Sequence, residues 1–366
     1  MSPKRWLRLQ EAMAREGIEL LALVPGANLF YLTGLSFHRM ERPIVALFPR
    51  EGDPALILPA FEVEKARAAA IPWRLFPYTD EEGPGRAFQA ATEALGWGRP
   101  IAVETLAMRV LEWSLLASAF RTPEPIPAEP LLARLRMVKG PEELAAMQRA
   151  VAVAEKALQM WLPQVRIGMT EREATRRLIQ ACFAAGADAL AFEPIVVAGP
   201  QAALPHATPS DRPMGRGELM IVDFGVVVDG YVSDLTRTFA LGEPDPEWPR
   251  IYEVVREANA AGRAAVRPGI PAEAVDRAAR AVIEAAGYGR YFTHRTGHGL
   301  GLEVHEPPSI VAGNTTPLEP GMTFTVEPGI YLPGKGGVRI EDDVVVTESG
   351  GESLTTFPRE LMWIGE

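Results

Sequence analysis

Cys182 is the only cysteine among 366 residues, and that scarcity excludes an intramolecular disulfide, a cysteine-ligated zinc knuckle and a CxxC redox pair. It points to a reducing compartment, with the cytoplasm as the default. Long hydrophobic runs are missing as well: no stretch approaches the ~18 consecutive apolar residues of a membrane-spanning helix, so no membrane partner is expected. The opening MSPKRWLRLQEAMAREG interleaves charged and apolar side chains at helical spacing, which predicts an amphipathic helix and not a secretory signal. Positive charge is outweighed, with 37 Lys and Arg against 47 Asp and Glu and a net charge of −10. With no basic run to neutralise phosphate, nucleic acid is excluded as a partner. A GxxxxGK loop is absent too, and the glycine-rich stretch 297–301 lacks the strand-turn-helix setting of a dinucleotide fingerprint.

What is present begins with an apolar fraction of 47%, ample for a core, and a length that favours two domains. Residues 18–120 alternate apolar runs (IELLALV, YLTGL, IVALFP, PALIL) with turns and helical stretches, the pattern of a small α/β domain. In RTPEPIPAEP four prolines preclude a helix or a central strand, so the boundary is placed there, giving domains 1–125 and 126–366. MVKGPEELAAMQRAV then opens a long helix, with Pro141 in its first turn and Leu144, Met147, Val151, Leu158 and Trp161 as its buried stripe.

The second domain carries a decayed internal repeat. RIGMTEREATRRLIQACFAAG matches RPGIPAEAVDRAARAVIEAAG at an offset of 101, placing Gly168 on Gly269 and Gly186 on Gly287. GELMIVDFG matches GMTFTVEPG at 104, so each half runs helix, helix, strands and ends an apolar strand near a carboxylate, Asp223 or Glu327. Two similar halves facing each other are expected. Thr170 with Glu173 predicts a capping box, and Asp245 followed by Pro246 another helix start.

Asp229-Gly230 sits between two apolar runs, the signal for a two-residue hairpin turn. Counting outward, Val228 faces Tyr231, Gly225 faces Asp234 and Asp223 faces Thr236, so Asp223 and Asp234 are diagonal neighbours on one face. A buried, unpaired carboxylate is costly, and two together call for a cation. The second half offers Glu327 in TFTVEPGIY and, in VRIEDDVVV, either Glu341 or Asp343 by parity. Four of five histidines fall in this domain, as His206, His294, His298 and His305, whereas His38 reads as an ordinary loop residue. Four carboxylates and one neutral imidazole carry a formal charge of −4, which two divalent cations cancel. Hard oxygen donors with one nitrogen suit Mn²⁺, Co²⁺, Fe²⁺ or Zn²⁺, manganese foremost.

From Leu132 to the C-terminus the chain resembles the family of prolidases, Xaa-Pro aminopeptidases and methionine aminopeptidases. The resemblance rests on VDFG, SDLTRT, GHGLGLEVH, EPGIY and RIED, in that order. It implies the pseudo-symmetric pita-bread fold, an α/β (α+β) architecture, here preceded by a smaller α/β domain whose YLTG looks like that of the proline-directed branch. It implies Asp223, Asp234, His298, Glu327 and Glu341 as metal ligands, with Asp234 and Glu341 bridging two ions, and so selects Glu341 over Asp343. It further implies Glu327 as general acid/base, His206 and His305 as groups acting on the scissile carbonyl, and His294 and Arg339 as groups organising either the proline side of the substrate or a carboxylate of the site. The expected activity is hydrolysis of Xaa-Pro dipeptides by a homodimer. The alternatives are an Xaa-Pro aminopeptidase acting on longer peptides, another metal-dependent hydrolase, and a non-enzymatic peptide-binding module.

Overall fold

The computed structural model describes residues 3–69, 71–96, 100–122 and 124–365. The chain divides into two compact units, Met1–Arg136 and Met137–Glu366. This boundary falls later than the proline-rich segment. There Ile126–Pro127 adds an edge strand, where a missing proline N–H costs little, and helix Glu129–Arg136 buries Leu131, Leu132 and Leu135 in the first unit.

The first unit is built on a six-stranded mixed sheet in the order Arg74–Tyr78, Ala55–Pro59, Val45–Pro49, Leu20–Leu23, Ile101–Val103, Ile126–Pro127. Its inner strands are buried on both faces, which is why they read as continuous apolar runs without alternation. YLTGL is not a strand: Tyr31 to Thr33 end helix Ala27–Thr33, and Gly34, at φ 74°, supplies the left-handed cap.

In the second unit, helices Pro141–Trp161 and Glu171–Ala185 precede strands Ile195–Ala198, Leu219–Phe224 and Leu235–Leu241, which pair antiparallel in that order. Helices Glu247–Ala265 and Glu273–Ala285 precede Gly297–Gly299, Thr323–Val326 and Asp342–Val346, paired in the same way. The repeat is visible at the level of single hydrogen bonds. Gly168 N–H donates to Met214 O as Gly269 N–H does to Leu318 O, and Gly217 N–H donates to Leu241 O as Gly321 N–H does to Val346 O. The matched glycines also share positive φ: 89° and 83° for Gly168 and Gly269, 116° and 85° for Gly186 and Gly287, 83° and 90° for Gly217 and Gly321. A side chain would be strained at each, so these positions outlast the divergence around them.

The stripe predicted on the long helix packs inward. Trp161 is fully buried among Leu158, Leu178 and Phe239, and its Nε1–H donates to Ala174 O at 2.8 Å. Thr170 caps Glu171–Ala185 by accepting from Glu173 N–H at 3.1 Å, while the Glu173 carboxylate turns to Arg177, leaving the capping box half formed. Asp245 accepts from Glu247 N–H at 2.9 Å, and the helix begins at Glu247, one residue past Pro246. The two halves meet edge to edge: Glu341 N–H donates to Thr236 O at 3.1 Å, and Arg339 N–H donates to Thr238 Oγ1 at 3.0 Å.

Candidate metal centre

The first hairpin has the register counted from its turn. Val228 pairs with Tyr231 and Asp223 with Thr236. Asp229 and Gly230 take φ 52° and 81°, the positive pair that a two-residue turn of this twist requires. Between the two ladders, at Gly225, the hairpin passes from one sheet to another, and the bend leaves no room for a side chain, since a Cβ there would lie 2.0 Å from Ser233 O. That bend brings Asp223 and Asp234 to one cavity.

The second hairpin continues in one register along its length. Val326 pairs with Asp342, Ile340 N–H donates to Pro328 O, and Gly329 pairs with Arg339, so Glu327 stands opposite Glu341. Its turn is 333–335, with Gly334 at φ 73°. Parity holds as expected: Asp342 points the other way, buried against Arg237, Arg359 and Thr355. Of the two candidates on the inner side, Glu341 reaches the cavity. Asp343 lies behind it, accepting the Asp234 N–H at 3.0 Å.

His298 comes in on strand Gly297–Gly299, flanked by glycines that cannot be replaced in place. A Cβ at Gly297 would sit 1.8 Å from Thr325 O, and one at Gly299 2.2 Å from Pro307 O. The close backbone approach lets the imidazole reach into the cavity. Its Nδ1 lies 3.2 Å from Gly299 O, and because a carbonyl only accepts, the proton sits on Nδ1 and the Nε2 lone pair faces inward. Nε2 is 3.3 Å from Glu327 Oε1 and 3.8 Å from Asp234 Oδ2. Thr325 ties His298 to Glu327, accepting from His298 N–H at 3.1 Å and donating to Glu327 Oε1 at 3.3 Å.

All nine predicted site residues line one cavity of about 560 Å³: the five ligands with His206, His294, His305 and Arg339. Ligand atoms of Asp234, His298 and Glu341 lie within 4.8 Å of one another. Arg339 Nη2 donates to Asp223 Oδ2 at 2.6 Å, while the buried Oδ1 atoms of Asp223 and Asp234 have no hydrogen-bond partner among the described residues.

The electrostatics of the cluster bear on what it can hold. Burial, followed by the charge of Glu341 and Asp223, pushes the Asp234 carboxyl well above its usual range. Burial, then Glu327 and Asp223, does the same to Glu341. Glu327 is raised by burial to about 7, against the pull of Arg339. Burial depresses His298 to about 3, which keeps it neutral, the form that ligates metal. Carboxylates that oppose one another's ionisation, orphaned oxygens and an inward imidazole lone pair are together a donor set that fits divalent cations.

A second chain of hydrogen bonds runs along the wall. Arg339 Nη1 donates to Tyr331 Oη at 2.9 Å and Nε to Thr236 Oγ1 at 3.2 Å. His294 Nδ1 must donate to Arg295 O at 2.7 Å, so Nε2 accepts from Tyr331 Oη at 2.8 Å. Both ring nitrogens of His294 are thus engaged, and burial holds it neutral, near 4. His206 and His305 are exposed at the cavity wall, His305 packing edge-on against His298 with centroids 4.2 Å apart. Sequence reading missed Thr236, Thr325, Tyr331 and Arg295. Thr236 was findable, since the counted register sets it opposite Asp223, and Tyr331 lies within the quoted EPGIY.

Residues 145–348 match the model of metallopeptidase family M24, and residues 5–138 that of the creatinase/prolidase N-terminal domain. A probable dipeptidase PepE of Mycobacterium tuberculosis is 40% identical over 357 residues, covering 96% of this chain and 93% of that protein. A crystal structure of a prolidase from Thermococcus sibiricus superimposes with a TM-score of 0.94 at 37% identity, over 100% of both chains. A dipeptidase from Pyrococcus horikoshii gives 0.93 at 40% identity, over 98% of this chain and 100% of its own.

Proposed function

The chain belongs to metallopeptidase family M24, and from that premise we propose that it hydrolyses the Xaa-Pro bond of dipeptides with two divalent metal ions, manganese foremost. The observation that carries the reading is the convergence of Asp223, Asp234, His298, Glu327 and Glu341 on one cavity. These five would hold the ions, Asp234 and Glu341 between them; Co²⁺, Zn²⁺ or Fe²⁺ suit the same donors. When bound, such ions acidify a water toward neutrality and polarise a carbonyl.

The chain's own residues supply the rest. Glu327, lining the cavity 3.3 Å from His298 Nε2, takes and returns a proton as general acid/base. His206 and His305 stand free at the wall to donate to the scissile carbonyl and to the oxyanion that develops from it. Arg339 spends its donors on Asp223, Tyr331 and Thr236, and His294 is closed by Tyr331 and Arg295 O. We therefore read both as orienting Asp223 and this wall, the second of the two roles that the sequence left open for them.

Arg295 favours the dipeptide over a longer peptide. It lines the cavity and adds its charge to the burial that depresses His298 and His305, yet its guanidinium pairs with no carboxylate among the described residues and makes one side-chain hydrogen bond, to Ser309 Oγ at 3.4 Å. A dipeptide brings a free carboxylate one residue from the scissile bond, which this guanidinium can hold by charge-assisted hydrogen bonds. Ala191, Phe192, Ile195 and Val304 give the cavity an apolar side for the proline ring.

Incubating Mn²⁺-loaded protein with Ala-Pro, Met-Pro and a longer Xaa-Pro-Pro peptide tests the reading. Release from the dipeptides alone supports it, release from the longer peptide replaces it with an Xaa-Pro aminopeptidase, and binding without release leaves a peptide-binding module. We further infer a homodimer, supported by Leu106 and Val110, 91% and 81% exposed in the first unit, and a cytoplasmic setting, supported by the lone buried Cys182.

A further inference from the structure

His305 has an exposed ring that no hydrogen bond fixes among the described residues, so its place in the cavity is set by the backbone that carries it. That backbone, 301–306, is folded around a buried carboxylate. Glu306 Oε1 accepts from Leu302 N–H at 2.8 Å and from Glu303 N–H at 3.0 Å. Oε2 faces Lys139 Nζ at 3.3 Å, with both side chains almost wholly buried. Gly301 closes over the pair, since a Cβ there would lie 2.8 Å from Lys139 Cε and 3.0 Å from Glu306 Oε2. Its carbonyl accepts from Val232 N–H at 2.8 Å, tying the turn to the first hairpin. Lys139 is itself anchored, its N–H donating to Gly321 O at 2.9 Å.

We propose that Glu306 is the positioning residue for His305, with Lys139 as its counter-charge. The carboxylate gathers two amides of the turn and thereby determines where the imidazole stands beside His298. Glu306 does not line the cavity and acts through His305 alone. Lys139 is required because a carboxylate buried without a cation would lose its charge and with it the grip on the two amides. The inference rests on the reading that His305 takes part in turnover.

The test is a double-mutant cycle on the Mn²⁺-loaded protein with Ala-Pro, using wild type, His305→Ala, Glu306→Gln and the double variant. Glu306→Gln is expected to lower kcat/KM by about 10- to 100-fold, as outer partners of a site do. In the His305→Ala background it is expected to lower it no further. A role confined to folding would cost the same in both backgrounds, and that result, or no loss at all, overturns the proposal. Glu306→Asp, which keeps its charge toward Lys139 but is too short for both amides, carries the same cycle if Glu306→Gln does not fold. Histidine ring resonances of the Zn²⁺-loaded protein give a readout independent of turnover. Glu306→Gln should shift those of His305 and leave those of His294, and unmoved His305 signals contradict the proposal even if the wild type cleaves no dipeptide.

Discussion

Thr236 donates its hydroxyl to Glu341 Oε2 at 2.6 Å while its carbonyl accepts the Glu341 N–H at 3.1 Å. One residue of the first half therefore orients both the backbone and the carboxylate of a proposed ligand from the second. The same hydroxyl accepts from Arg339 Nε, so it also steadies the guanidinium that holds Asp223. Thr236→Val keeps the shape and removes this junction. It is expected to destabilise the protein by about 1–3 kcal/mol, the penalty of leaving buried partners unsatisfied. It should also weaken metal binding about 10- to 100-fold. Denaturant unfolding and metal titration check the two effects, and Thr236→Ser should restore most of both.

Glu327→Gln removes the carboxylate given the proton-transfer role. At saturating Mn²⁺, turnover of Ala-Pro should fall by at least about 10²- to 10⁴-fold while the circular dichroism spectrum stays that of the wild type. Residual activity close to wild type would refute the role.

Metal binding should release protons. In the metal-free protein Glu327 sits near 7, and Asp234 and Glu341 are raised as well, so below about pH 7 protons occupy oxygens that a cation needs. Affinity should accordingly rise as pH climbs through 7. Carboxyls raised on folding contribute stability that is fully present below their unfolded values and lost as pH rises through the folded ones. Metal-free protein should thus lose stability between about pH 4 and 7, and added Mn²⁺ should restore it. Calorimetry in two buffers of different protonation enthalpy counts the protons, and an equal heat in both contradicts the account.

Asp342 supports the site from behind. Burial alone would raise its carboxyl, but the guanidinium of Arg237, joined by Arg359, holds it below the usual carboxylate range. Arg237→Met leaves that charge to Arg359 and Thr355 and is expected to cost about 1–3 kcal/mol, the penalty of one lost buried partner. Because the carboxyl is depressed on folding, its contribution is present above the unfolded value of about 3.9 and lost as pH falls toward the folded one. Asp342→Asn should abolish this acid-side slope, which urea denaturation at a series of pH values would reveal.

The parts of this fold that could be read beforehand are those in which one residue type carries a local geometric demand. Asp229-Gly230 fixes a turn, the turn fixes a register, and the register delivers Asp223 and Asp234 to one face. Paired glycines at positive φ betray the repeat even where little else matches. The second hairpin was not countable, because the Gly-rich run 334–337 offers several turn positions and only the structure selects 333–335. The domain boundary was set too early because prolines also suit an edge strand and a helix start. Tyr331, Thr325 and Arg295 went unassigned for another reason. Tyr331 meets His294, and Thr325 meets His298, only once the chain has folded, while Arg295 acts by its charge from outside any strand, and such roles leave no periodic trace.

The most direct test of the central claim is proline release from Ala-Pro by chelated protein as Mn²⁺ is returned in counted equivalents. The account predicts no release after chelation and full recovery at two ions per chain, the number that cancels the charge of the four ligand carboxylates. Release that continues undiminished in chelator would contradict it.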